Sequence, residues 1–161
     1  MLNINIKDYL SSEQMKIIEE TLKNKYNILI CGGTGAGKTV FLNALVNHIS
    51  LIIPNNIIAV IENVEELTTN PNITIKRFKN LKDINYIEEI KNFSQVKIDN
   101  IIIGEIKTLQ ISKILKICKE KDYQIISTIH ESAFSYINKK DIELIIHIEK
   151  RKVIKLERLG K

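Results

Sequence analysis

Apolar residues in this chain come in two kinds of run, and the two alternate. Short continuous blocks occur at Asn27-Ile28-Leu29-Ile30-Cys31, Ile57-Ile58-Ala59-Val60-Ile61, Asn100-Ile101-Ile102-Ile103-Gly104 and residues 124–129. Blocks of this length without polar alternation predict strands buried on both faces. Between them the spacing changes to three and four. Met15, Ile18 and Leu22 mark one helix, which Ser11 caps and Gln14 closes as a capping box, with Leu10 stapled onto Met15. Phe41, Leu42, Leu45, Val46 and Ile49 mark a second helix over about 38–50. Ile84, Ile87 and Ile90 mark a third that Asp83 caps, and Ile111, Ile114, Leu115 and Cys118 a fourth that Thr108 caps. Residues 73–78 alternate more weakly and predict an exposed strand; residues 143–149 and 153–159 predict a terminal hairpin around Lys150-Arg151-Lys152. Strand and helix patterns in alternation predict an α/β domain, its sheet mostly parallel with helices on both faces. Such sheets bind ligands beyond the C-terminal ends of their strands.

Composition narrows the class without changing that picture. The chain has 161 residues, 44% of them hydrophobic and 27% charged, with six glycines and two prolines. These values exclude collagen, a disordered tail and a low-complexity array, and the length predicts one domain over 1–161. Lys and Arg total 24 against 19 for Asp and Glu, a net charge of +5. That excess suits phosphate ligands, nucleic acid or an anionic membrane face, and no motif reads nucleic acid directly. Cys31 and Cys118 sit in apolar stretches and predict buried, reduced thiols. No signal peptide is visible, and the greasiest window, 49–61, is broken by Ser50, Pro54, Asn55 and Asn56, so a soluble protein is expected.

The sharpest chemical signal is Gly32-Gly33-Thr34-Gly35-Ala36-Gly37-Lys38-Thr39, which fits G-x-x-x-x-G-K-[ST] at every fixed position. It begins where a strand ends and finishes where a helix starts. Its glycines free backbone N–H groups to converge on phosphate oxygens, and the helix N-terminus adds its positive end. Lys38 then reaches the β- and γ-phosphates of a nucleotide, and Thr39 sits on Mg²⁺. Two buried strands end in carboxylates. Glu105 closes residues 101–105 in the manner of a Walker B strand, and Glu62 closes residues 58–62 with Asn63, Glu65 and Glu66 behind it. If both strands flank the loop strand, these acids share its edge, and His130, ending a further strand, becomes a γ-phosphate sensor.

Taken in order, GGTGAGKT at 32–39, IENVEEL at 61–67, IIIGEIK at 101–107 and STIHES at 127–132 resemble the type II/type IV secretion ATPases. Those P-loop motors of secretion, conjugation and pilus assembly carry patterns like GGTGSGKT, IEDxxEL, IIVGEIR and STIHA. The resemblance covers about 8–159, including DIELIIHIEKRKVIKLE as the hairpin closing the motor domain. It implies a RecA-like P-loop fold, ATP and Mg²⁺ as ligands, and residues 32–39 on the nucleotide. It further implies Thr39 and Glu105 at the metal, and Glu62, Glu105 and His130 as the catalytic set, with Glu66 as second acid. A cytoplasmic protein follows, peripheral at the inner membrane face as a variant, forming a hexamer or joining partner subunits of a secretion machine.

Departures from the family pattern temper the activity. Asn63 stands for an Asp, Lys107 for an Arg, and Glu120-Lys121-Asp122-Tyr123-Gln124 for TGHxG. The family's N-terminal domain is expected to be absent. Of the three arginines, Arg77 is the candidate to reach a neighbouring subunit, since Arg151 and Arg158 fall in the hairpin. The isolated chain is therefore expected to bind ATP and turn it over slowly. A degenerate nucleotide-binding structural or regulatory subunit and a P-loop small-molecule kinase are the alternatives.

Overall fold

The computed structural model describes residues 5–62, 74–79, 88, 90, 91, 93, 97–106 and 111–159; for Glu62, residues 74–79 and Ile111 it describes the backbone alone. Seven strands form one sheet: β1 (Ile28–Gly32), β2 (Ile57–Glu62), β3 (Thr74–Lys79), β4 (Asn100–Ile106), β5 (Gln124–His130), β6 (Leu144–Glu149) and β7 (Lys152–Arg158). Their spatial order is β3-β2-β4-β5-β1-β6-β7. Strands β1 to β6 run parallel, and β7 returns antiparallel to β6. The α-helices described from end to end are α1 (Ser12–Lys23), α2 (Lys38–Ile52) and α3 (Ile111–Glu120). The expected α/β class, parallel sheet and terminal hairpin are all present.

Each helix forms where its sequence stops competing conformations. At α1 the Gln14 N–H donates to Ser11 Oγ at 3.2 Å while the Ser11 N–H donates to Gln14 Oε1 at 2.9 Å, so the predicted capping box is closed. Leu10 and Met15 both pack on the core below it. Alternation along the strands then divides the core in two. Ile28, Ile30, Ile58, Val60, Ile102, Ile126 and Ile146 face one way and meet Ile18, Leu22, Phe41, Leu45 and Ile49. Leu29, Cys31, Ala59, Ile61, Ile101, Ile103, Ile125 and Ile145 face the other way, onto Ile114, Leu115 and Cys118. Burying each such side chain contributes roughly 1.5–3 kcal/mol, so both faces hold the sheet. Both cysteines are free and buried as expected, and burial pushes the Cys118 thiol up to about 12.

The strand order differs from the expectation in one respect. The neighbours of β1 are β5 and β6, not the strands that end in Glu62 and Glu105. Strand β4 lies one strand further out and β2 two, so the histidine strand is the one beside the loop. The strand expected over 73–78 is found as β3, Thr74–Lys79, at the sheet's edge in parallel with β2. The predicted caps Asp83 and Thr108 lie outside the described residues.

Candidate functional site

Strand β1 is buried along its whole length and ends at Gly32, where the chain turns through residues 33–37 into α2. Gly37 takes the N-cap position with φ +97°, a left-handed backbone that a side chain would strain. No side chain caps this helix. Its first N–H groups therefore remain as donors on the concave side of the loop, where an anion gains both hydrogen bonds and the helix dipole. The Lys38 ammonium folds back and donates to the carbonyls of Gly32 and Gly33, each at 2.8 Å. It waits at the mouth of the loop, half-buried. Thr39 follows in the first turn of α2, also half-buried.

The adjoining strand brings a histidine to that loop. His130 ends β5 opposite Gly32, and its Nε2 lies 3.4 Å from Thr34 Oγ1. Its other nitrogen, Nδ1, accepts from the Ser132 N–H at 3.1 Å and lies 2.8 Å from Ser132 Oγ. A neutral ring with Nδ1 accepting carries its proton on Nε2, aimed at the loop. One strand further out, β4 is bulged: Ile103 pairs with Ser127 and Ile106 with Ile129, leaving one extra residue on β4. The bulge falls on Gly104-Glu105. Thr128 Oγ1 donates to the Gly104 carbonyl across it, and Glu105 is turned out to solvent between half-buried Gly104 and buried Ile106. Glu62 ends β2 at the same edge, with only its backbone described, and Glu66 lies outside the described residues. Arg77 falls within β3, in register with Val60. With strands roughly 4.8 Å apart, His130 stands about one spacing from β1 and β4 about two.

This arrangement suits a phosphate chain with a divalent ion. The loop amides and Lys38 could meet the phosphates, and Thr39 and Glu105 could offer oxygen ligands. Mg²⁺ takes only one or two protein groups and fills its remaining positions with phosphate and water. Among the described residues no three His, Cys, Asp or Glu side chains cluster to hold a metal by themselves.

A family model described as type II/IV secretion system protein matches residues 1–139. The chain belongs to that family. The conjugal transfer protein TrbB of Rhizobium radiobacter is 25% identical over 134 residues, covering 80% of this chain and 41% of TrbB. In fold the chain resembles the VirB11 ATPase of the Brucella suis type IV secretion system, with a TM-score of 0.69 at 15% identity over 91% of this chain and 52% of that one. The Legionella pneumophila ATPase DotB gives 0.64 at 18% identity over 89% of this chain and 46% of DotB. The chain thus shares its fold with these two ATPases, and it spans about two-fifths to one-half of these relatives' lengths.

Two side chains of this secretion-family protein stand beside the loop without having been legible as site residues. The Glu131 carboxylate lies over Gly33: a Cβ there would sit 3.2 Å from Oε1. Its charge adds to the burial that raises the Cys31 thiol pKa. Arg151, set aside above as a hairpin residue, donates its N–H to the Ala36 carbonyl at 2.8 Å and lays its side chain on Gly37. Neither Glu131 nor Arg151 carries a local signal, because both reach the loop through strand pairing. Between loop and hairpin lies a cleft of about 340 Å³, walled by Gly33, Glu131, His147, Glu149, Lys150 and Ile154. No helix among the described residues is long and apolar enough to cross a membrane.

Proposed function

We propose that this chain binds Mg-ATP and hydrolyses it as the motor domain of a secretion or conjugation machine, acting as an oligomer at the inner face of the membrane. The observation that carries the reading is the joining of loop and histidine strand, Thr34 to His130 at 3.4 Å, beside the bulge that exposes Glu105. In this reading the loop amides and Lys38 bind the β- and γ-phosphates. Thr39 and Glu105 hold Mg²⁺, which supplies neutralisation of the phosphate oxygens. His130, its proton on Nε2, senses the γ-phosphate, and Glu62 orients the attacking water, with Glu66 as the second acid of its segment.

Turnover by one chain is slow in this account. Phosphoryl transfer depends on positioning and on cations at the γ-phosphate, and an arginine from a neighbour contributes roughly 10³–10⁵ in rate. The sequence has three arginines, of which Arg77 is the candidate for that role. Phosphate release per chain should therefore rise across a hundredfold increase in concentration, in step with assembly by light scattering, and Arg77→Ala should flatten the rise. Fast release that is independent of concentration contradicts it. A second reading, nucleotide binding with little turnover at any concentration, draws on Asn63 and Lys107 in place of the family's Asp and Arg. Assembly without any rise in phosphate release favours that one.

A further inference from the structure

The hairpin turn is built in a way that hairpin stability alone does not explain. Glu149 pairs with Lys152, leaving Lys150 and Arg151 as a two-residue loop. Both have positive φ, 48° and 60°. Two-residue hairpin loops of this kind strongly prefer Asn-Gly, because other residues resist the left-handed region. Here two long cationic side chains occupy it instead.

The strained pair is held against the phosphate loop. The Arg151 N–H donates to the Ala36 carbonyl at 2.8 Å, and a Cβ placed on Gly37 would meet Arg151 Cγ at 3.0 Å and Cα at 3.3 Å. One strand back, a Cβ on Gly32 would meet the Ile148 carbonyl at 2.6 Å. Both Gly32 and Gly37 are therefore needed by the hairpin's close approach, and Gly37 by the loop's own turn as well. Among the described residues the Arg151 guanidinium makes no hydrogen bond or ion pair, whereas Arg158 on the same strand pair reaches Glu20 at 3.2 Å.

Topology says which end of a nucleotide this cation meets. Strand β1 lies between β5, which carries His130, and β6, which leads into the turn. A triphosphate whose γ end points to His130 and Glu105 extends its other end toward the hairpin. We propose that the Lys150-Arg151 turn forms the wall of the nucleoside subsite, with the Arg151 guanidinium plane lying on the nucleobase. The inference rests on the nucleotide-binding reading above. A planar, delocalised cation stacks on an aromatic face where a lysine ammonium, a strongly hydrated point charge, does not.

Calorimetric titration of the full chain with Mg-ADP, Mg-ATP and inorganic tripolyphosphate tests this. Arg151→Ala should weaken ADP and ATP alike by about tenfold, and leave tripolyphosphate unchanged. Arg151→Lys should lose nearly as much, because the charge survives and the plane does not. The double variant Lys150→Asn/Arg151→Gly should show the same loss while melting at a higher temperature, since Asn-Gly relieves the turn. That combination separates lost contact from lost fold. Unchanged ADP affinity in the arginine variants overturns the inference, as does equal weakening of tripolyphosphate, which makes Arg151 a phosphate counter-charge. Lys38→Ala serves as the control: if it leaves ADP binding intact, the nucleotide reading itself has failed, whatever Arg151 does.

Discussion

At their N-terminal ends the parallel strands are laced together by amides, and at their C-terminal ends they are not. Asn56 Nδ2 donates to Asn100 Oδ1 at 2.6 Å, Asn100 Nδ2 to Gln124 Oε1 at 2.5 Å, and Gln124 Nε2 to the Tyr26 carbonyl at 2.5 Å. Asn27 continues the row, accepting from the Ile125 N–H at 2.9 Å and donating to the Asp141 carbonyl at 3.0 Å. This belt crosses the sheet from β2 toward β6, and no buried side-chain polar atom among the described residues lacks a partner. The opposite edge carries groups turned outward: exposed Glu105 on its bulge, Lys38 resting on two carbonyls, and Arg151 with no side-chain partner among the described residues. A satisfied polar network rigidifies and specifies register. An edge whose donors and charges are left over is one that has something to bind.

Breaking the closed edge should produce the largest effect on the fold. Asn100→Ala strands the buried amides of Asn56 and Gln124, each worth roughly 1–3 kcal/mol when left unpaired. Chemical denaturation should show a loss of about 2–5 kcal/mol, while the folded fraction keeps its nucleotide affinity. A loss of affinity with stability unchanged would erase the distinction between the two edges. On the open edge the expected effects are smaller and act on binding. Glu131→Gln removes a negative charge beside Gly33 and should tighten Mg-ADP by about threefold at low salt, less at high salt. Weaker binding by this variant would make Glu131 a helper of the nucleotide and not a like charge that opposes it.

The smallest effect concerns Glu157 on the hairpin. Hydrogen bonds from Lys139 at 2.9 Å and His147 at 3.1 Å hold its carboxyl below the usual carboxylate range. A depressed acid stabilises the fold above its unfolded pKa, and that contribution is lost as pH falls through the folded value. Glu157→Gln should therefore lower the melting temperature slightly at pH 7, by less than about 1 kcal/mol in stability. The wild-type difference should vanish well below roughly pH 4. A difference that persists in strong acid would mean the glutamate acts by packing.

Much of this was legible in local sequence, because local physics decided it. The capping box at Ser11 and Gln14, the four apolar strands and the eight-residue phosphate loop each depend on neighbours within a few positions. Strand order does not. Placing β5 between β1 and β4 is a choice among non-local pairings that no short run of isoleucines encodes. The bulge at Gly104-Glu105 was hidden for the same reason, since an extra residue exists only relative to a partner strand. Arg151 falls in the terminal hairpin as expected, but its position in the chain does not reveal that it lies against the loop. Its turn lacks the Asn-Gly signature, and only the pairing of β6 with β1 carries it to the loop.

In the function proposed above, the open edge is a nucleotide site centred on Lys38. Lys38→Ala leaves the core untouched, because among the described residues its ammonium hydrogen-bonds only to the Gly32 and Gly33 carbonyls. Calorimetry with Mg-ATP on wild type and variant, alongside thermal melting of both without ligand, measures the claim directly. The predicted result is a loss of affinity of about a hundredfold or more with the melting temperature unchanged. Equal affinity in the two proteins would contradict it.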